Sequence, residues 1–160
     1  MGILVQKFGG TSLGDGSRMS NVAEIIARSH ERNPVVAVVS AMSSTIKSEG
    51  TTSQLLKASS LALEGKSFDE PLEKIANLHR QAITTALTSR KQQRAMRTFV
   101  EHEIERLRSF LEAIQVIREL SPRSEDILIA TGERLSAHLL TATLRDRGID
   151  SRTVDLTYAV

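Results

Sequence analysis

The chain has no cysteine and no tryptophan, and aromatic residues make up only 3% of it. Without thiols there is no disulfide, no thiolate metal ligand and no cysteine nucleophile, so thiol redox chemistry is excluded and a reducing compartment fits. One Tyr and four Phe leave few rings to stack on bases, and the formal net charge is only +2. Nucleic-acid binding therefore has little support, despite a sequence pI near 9.2. Long hydrophobic runs are also missing. The apolar stretch at Ile3, Leu4 and Val5 is too short for a signal peptide or a membrane span, which predicts a cytoplasmic protein with no membrane partner. The four histidines, at positions 30, 79, 102 and 138, never take the i, i+4 spacing of a helical zinc pair, and no Gly-x-Ser-x-Gly is present. Neither a metal site nor a serine nucleophile is expected. An anionic small molecule is the better partner.

What is present points the same way. At 160 residues, with 40% hydrophobic and 25% charged residues, the chain is long enough to bury an aliphatic core, and one domain is expected. It opens with Ile3-Leu4-Val5-Gln6-Lys7-Phe8-Gly9-Gly10-Thr11-Ser12, an apolar strand that leads a lysine into a glycine turn and two hydroxyls. Paired glycines let backbone N–H groups approach an anion that a Cβ would hold off. Lys7 adds a mobile positive charge, and a helix beginning near Ser17 would aim its positive dipole end at the same place. A lone Gly-Gly is usually an ordinary turn. With Lys7, Thr11 and Ser12 beside it, the segment reads as a phosphate site.

Met19, Val22, Ile25 and Ile26 continue at helical spacing up to Asn33-Pro34. The run Val35-Val36-Ala37-Val38-Val39 then reads as a buried parallel strand with helices covering both faces, so that residues 3 to 39 form a β-α-β unit. Between Ser40 and Ser53 six Ser or Thr residues occupy positions 43, 44, 45, 48, 51 and 52. This polar loop leaves the C-terminal end of a strand, the edge of an open α/β sheet where ligands bind, and the glycine turn lies at that same edge. Helices are predicted over 54 to 63, 71 to 87, 91 to 120 and 125 to 147. The third carries an apolar stripe of Val100, Ile104, Leu107, Leu111, Ile114 and Ile117, opposite a solvated face with Arg94, Arg97, Glu101, Glu105, Arg108 and Glu112. Gly148 suits the end of the fourth helix, and residues 151 to 155 read as a short third strand.

Phosphoryl transfer depends on charge and alignment rather than on covalent help from the protein. The segment after the first strand is neither a nucleotide-hydrolase P-loop nor a dinucleotide fingerprint: no terminal Gly-Lys-Ser/Thr follows, and the Gly-x-Gly at Gly14 and Gly16 comes several residues late. A second glycine signal is Thr131-Gly132-Glu133. Gly costs about 1 kcal/mol relative to Ala inside a helix, so Gly132 hints at close packing or backbone approach. Glu133 by itself reads as a surface salt-bridge partner. Beside such a glycine it becomes a candidate ligand contact.

Lys7-Phe8-Gly9-Gly10-Thr11-Ser12, Ser40-Ala41 after a valine-rich strand, Gly50-Thr51-Thr52-Ser53 and Thr131-Gly132-Glu133 together resemble the N-terminal part of the aspartate kinases, within the amino-acid kinases. The resemblance covers all 160 residues and is strongest to fungal members. It implies the N-terminal half of a three-layer α/β amino-acid-kinase fold, similar to carbamate kinase, with parallel strands and a large helical portion. It further implies transfer of the ATP γ-phosphoryl group to the side chain of L-aspartate, with Mg2+ accompanying ATP, in lysine, threonine and methionine synthesis. By matched position, Lys7 would stabilise the moving phosphoryl group and Gly9 and Gly10 would hold phosphate through N–H groups. Ser40 and Thr52 would orient aspartate, Glu133 would meet its ammonium group, and Thr11, Ser12 and Ala41 would shape the pocket. Relatives acting on glutamate, carbamate or uridylate do not usually place Thr-Ser after Lys-Phe-Gly-Gly.

Family members continue with a C-terminal nucleotide-binding half and ACT domains, neither of which falls within residues 1 to 160. The lone chain is therefore expected to be incomplete as an enzyme. Its sheet would be left partly uncovered, which favours self-association or pairing with another kinase chain. The alternative reading is a non-catalytic homologue that binds aspartate or a full-length kinase.

Overall fold

A computed structural model describes residues 2–44 and 46–156. Strand β1, Leu4–Phe8, is followed by a 3-10 turn, Gly10–Leu13, and helix α1, Gly16–His30. Strand β2, Val35–Val39, leads through a 3-10 turn at Lys47–Glu49 into α2, Thr51–Leu63. The antiparallel-style run of helices α3, Asp69–Ala86, α4, Arg90–Ile117, and α5, Pro122–Asp146, completes the described chain. β1 and β2 pair in parallel, in register from Leu4 opposite Val35 to Phe8 opposite Val39. The predicted β-α-β unit is therefore present.

Side chains alternate across the two strands as the pleat requires. Phe8, Val35, Ala37 and Val39 turn toward the helices and pack on the core. Ile3, Val5, Val36 and Val38 face the other way and are 69, 64, 49 and 46% exposed. The sequence reading buried these strands on both faces; among the described residues helices cover only one. The valine run records the composition of a strand suited to two covered faces, whereas exposure depends on which layers are there to cover it.

The core is aliphatic, as expected, with Leu13, Met19, Met42, Leu55, Leu72, Ile75, Ile83, Leu111, Leu128, Leu135 and Leu139 fully buried or nearly so. α1 packs on α3 and α5, while α2 packs on α3, α4 and α5. On α4 the stripe buries Val100, Leu107, Leu111 and Ile114, but Ile117 is 67% exposed because the helix stops there and Arg118 turns into the left-handed region, φ 55°. α5 starts three residues before the predicted position. Ser121 caps it by accepting a hydrogen bond from the Ser124 N–H at 3.2 Å, and Pro122 occupies the first turn, where its missing N–H is harmless. Gly148, at φ +80°, ends it as anticipated.

Residues 151–155 do not form the expected third strand. Their polar groups bond to α5 instead: Arg145 Nε donates to the Ser151 carbonyl at 2.7 Å, and Thr153 Oγ1 donates to Thr141 Oγ1 at 2.8 Å. Local hydrogen bonds to a neighbouring helix have replaced pairing with β2. No helix among the described residues is long and apolar enough to cross a membrane.

Candidate functional site

Parallel pairing sets the C-terminal ends of β1 and β2 side by side, and the two following loops are packed into each other. Ser40 N–H donates to the Phe8 carbonyl and Ser43 N–H to the Gly10 carbonyl, both at 3.1 Å. A Cβ on Gly10 would lie 2.5 Å from the Ala41 carbonyl oxygen, and one on Gly14 would lie 2.3 Å from that of Ser43. These glycines are needed because backbone approaches backbone. Gly9 differs: nothing lies within 4 Å of where its Cβ would stand. Among the described residues, no acceptor reaches the N–H groups of Gly9, Gly10 or Thr11. Lys7, two residues upstream, is exposed and makes no ion pair among the described residues. Three free donors beside a cation can act as an anion cradle.

α1 does not supply the helix end that the sequence suggested. The Asp15 carboxylate already caps it, accepting from the Arg18 N–H at 2.8 Å. Beside the glycine turn, the helix start without a side-chain cap is that of α2. Gly50 stands at its N-cap with no side-chain hydrogen bond, and the Thr52 N–H has no acceptor among the described residues. Thr52 thus sits on the first turn of a helix rather than in the predicted loop, because the helix begins at Thr51, where the Thr51 N–H is anchored on the Met42 carbonyl at 3.0 Å. Thr51 is fully buried behind it, while Thr52 is exposed. A free helix N-terminus favours negative charge.

Gly132 brings α5 to this place. Its hypothetical Cβ would lie 3.0 Å from both Ala41 Cβ and Thr51 Cγ2, so the close packing hinted at by a mid-helix glycine is present. Glu133, the next residue, is exposed, has no partner among the described residues, and lines a cleft of about 870 Å³ with Val38, Val39, Arg134, Arg152 and Asp155. Lys7 stands opposite Val38 in the strand register. The glycine turn with Thr11 and Ser12, the Ser40-Ala41 corner, the α2 terminus and Glu133 therefore gather at one sheet edge. The cleft itself takes in Glu133 but not Lys7, Ser40 or Thr52. Donors of positive character on the loops and a carboxylate on α5 can hold a ligand bearing both anionic and cationic groups.

A neighbour that sequence reasoning missed is Glu103 of α4. It is 3% exposed and joined to Arg134, the residue after Glu133. Nothing in its local sequence distinguishes it from the exposed acids around it.

The model of the amino acid kinase family matches residues 2–160. The chain belongs to that family. Among members of the amino acid kinase family, it is 39% identical over 158 residues to an aspartokinase of Candida albicans and 34% identical over 162 residues to one of Saccharomyces cerevisiae. Those alignments take in 97 and 98% of the chain but 28 and 30% of the relatives, so the chain spans about three tenths of the curated relatives' length. The fold superimposes on aspartokinase III of E. coli in complex with aspartate and ADP, with a TM-score of 0.78 at 27% identity, over 97% of this chain and 31% of that one. The same enzyme with lysine and aspartate gives 0.74 at 28% identity, over 92 and 30%. The structural likeness accords with the N-terminal half of an α/β amino-acid-kinase fold, with a parallel two-stranded sheet and five helices.

Proposed function

We propose that residues 1–160 are the N-terminal part of an aspartate kinase catalytic domain. In a completed domain they would serve transfer of the ATP γ-phosphoryl group to the side-chain carboxylate of L-aspartate, giving 4-phospho-L-aspartate. One observation carries this reading: the free N–H groups of Gly9, Gly10 and Thr11 lie beside the unpaired Lys7, at the same sheet edge as the uncapped start of α2 and Glu133. Phosphate would take the glycine N–H groups, with Lys7 stabilising charge that builds on the moving phosphoryl group. Thr11, Ser12 and Ala41 would shape that pocket. The negative ends of aspartate would meet the α2 terminus through Thr52 and Ser40, and its ammonium would meet Glu133, since a charge-assisted hydrogen bond to a carboxylate is the strongest available at short range. Mg2+ would arrive with the nucleotide. The setting we propose is the cytoplasm, in lysine, threonine and methionine synthesis.

The nucleotide half and the ACT domains of such a kinase would lie outside these 160 residues. A second reading, a non-catalytic chain that binds aspartate or pairs with a kinase chain or with its own copy, is favoured by the exposed apolar face at Ile3, Val5, Val36 and Val38. The deciding experiment is ATP- and Mg2+-dependent formation of an acyl phosphate from L-aspartate, trapped with hydroxylamine, for the chain and its Lys7→Ala variant. Signal lost in the variant supports transfer through Lys7. A folded chain without signal leaves the binding reading, and equal signal from both chains would remove Lys7 from the chemistry.

A further inference from the structure

We infer that Glu103, acting through Arg134, is a positioning residue for Glu133, so that α4, outside the site, sets how the site's carboxylate is presented. The inference rests on the proposed role of Glu133. Glu103 is 3% exposed, and its carboxylate accepts hydrogen bonds from Arg134 Nη2 and, at 3.2 Å, from Arg106 Nη1, while His102 Nδ1 stands 3.8 Å away. Arg134 also approaches Asp155 at 3.8 Å. One helical turn along, Phe99 of α4 stacks on His138 of α5 with centroids 4.2 Å apart. The pairs Phe99–His138 and Glu103–Arg134 are thus successive rungs between two antiparallel helices, each displaced by four residues.

Consecutive residues on a helix point about 100° apart. Arg134 borders the cleft and reaches across to Glu103 of α4, and Glu133, one residue earlier, lines the same cleft beside Val38 and Val39. On the other side, Gly132 is pressed against Ala41 and Thr51. Glu133 is therefore bracketed by two constraints, one on the substrate loops and one on α4. Adhesion between the helices does not require the ion pair, because Leu107 of α4 and Leu128 of α5 are buried and line one crevice with Arg134. A buried ion pair adds little net stability over an apolar pair of similar size. What it adds is direction, since the planar guanidinium is held at two points, Nη2 on Glu103 and Nη1 facing Asp155, in a geometry that aliphatic contacts leave free to slide.

The test compares the 160-residue chain with Glu103→Leu/Arg134→Met, which keeps the contact apolar, and with Arg134→Lys, which keeps the charge but not the fork. Backbone and side-chain NMR shifts at Ala41 and Thr51, which face Gly132, report the placement of α5, and calorimetry with L-aspartate reports its use. In the double variant the thermal midpoint is expected to stay near that of the parent, shifts at Ala41 and Thr51 to move, and aspartate to bind about tenfold more weakly. Arg134→Lys is expected to fall between the two. Unchanged shifts at Ala41 and Thr51 in either folded variant would overturn the coupling, whatever happens to affinity. Shifts that move in a chain binding no aspartate would uphold the coupling and remove the substrate reading instead.

Discussion

Gly9 and Gly10 adjoin in sequence, yet the structure asks different things of them. Gly10 has no room for a side chain, because its Cβ would stand 2.5 Å from a backbone oxygen that cannot swing aside. Gly9 has open space and an extended backbone, φ −76° and ψ 164°, which alanine adopts without strain. Gly10→Ala is therefore expected to destabilise the chain by about 1–3 kcal/mol, the usual scale of overpacking. Gly9→Ala is expected to leave stability unchanged or to raise it by up to about 1 kcal/mol through the unfolded chain. Under the proposed phosphate role its cost is expected to fall on function, since the methyl adds bulk beside the glycine turn. Urea unfolding and binding of a non-hydrolysable ATP analogue, measured on both variants, separate the two effects. Loss of stability in Gly9→Ala comparable with Gly10→Ala would contradict the cradle. Lys7→Ala belongs with Gly9: the side chain is exposed and unpaired, so stability should change by no more than about 0.5 kcal/mol while anion affinity drops.

At the scale of helices, α3 carries a histidine with no route to water. His79 is fully buried, its Nδ1 lies 2.7 Å from the Ile75 carbonyl, and its Nε2 has no partner. Burial pushes the imidazole below its ordinary value of 6.5, and the Ile75 carbonyl offsets this only in part. The unfolded chain takes up a proton near pH 6.5, whereas the folded chain resists until a lower pH. Stability should therefore be flat in this respect above about pH 6.5 and fall as pH drops below it. His138 shifts in the same direction, through burial and then Arg134, and contributes a smaller share because it is only partly buried. Unfolding free energies measured from pH 7.5 down to 5.5 should decline in the parent and decline less in His79→Leu. Parallel curves would show that His79 titrates freely.

The elements themselves were largely visible beforehand, because apolar spacing, Pro34, Pro71 and Gly148 are local signals. Close approach was legible at Gly132, whose Cβ would crowd Ala41 and Thr51, whereas of the adjoining pair only Gly10 is crowded and Gly9 stands in open space. What stayed hidden was decided by distant partners. Glu103 looks like any acid on a charged helix until Arg134, thirty-one residues later, is folded against it. The third strand failed for the same reason, because Thr153 and Ser151 found partners at Thr141 rather than along β2. The helix end that favours an anion also changed from α1 to α2, since Asp15 caps one and nothing caps the other.

For the whole molecule, the uncovered face of the sheet is the dominant feature. Val5 pairs with Val36 and Lys7 with Val38, so the exposed valines form a contiguous apolar strip that ends at Lys7. Strips of this kind, beside a strand edge that remains open among the described residues, drive association when nothing else covers them. The 160-residue chain should accordingly sediment as larger species at higher concentration. Because Lys7 lies on the same face, association should also hide it, so apparent affinity for an ATP analogue should fall as protein concentration rises. Val5→Lys/Val36→Lys places charge at two paired positions that are already 64 and 49% exposed, and it should restore a monomer without loss of helical circular dichroism. In that variant the dependence of analogue affinity on protein concentration should disappear. A parent chain that stays monomeric across the range would show that the strip does not drive association, and a charged variant that still associates would place the contact elsewhere; either leaves Lys7 open in every state.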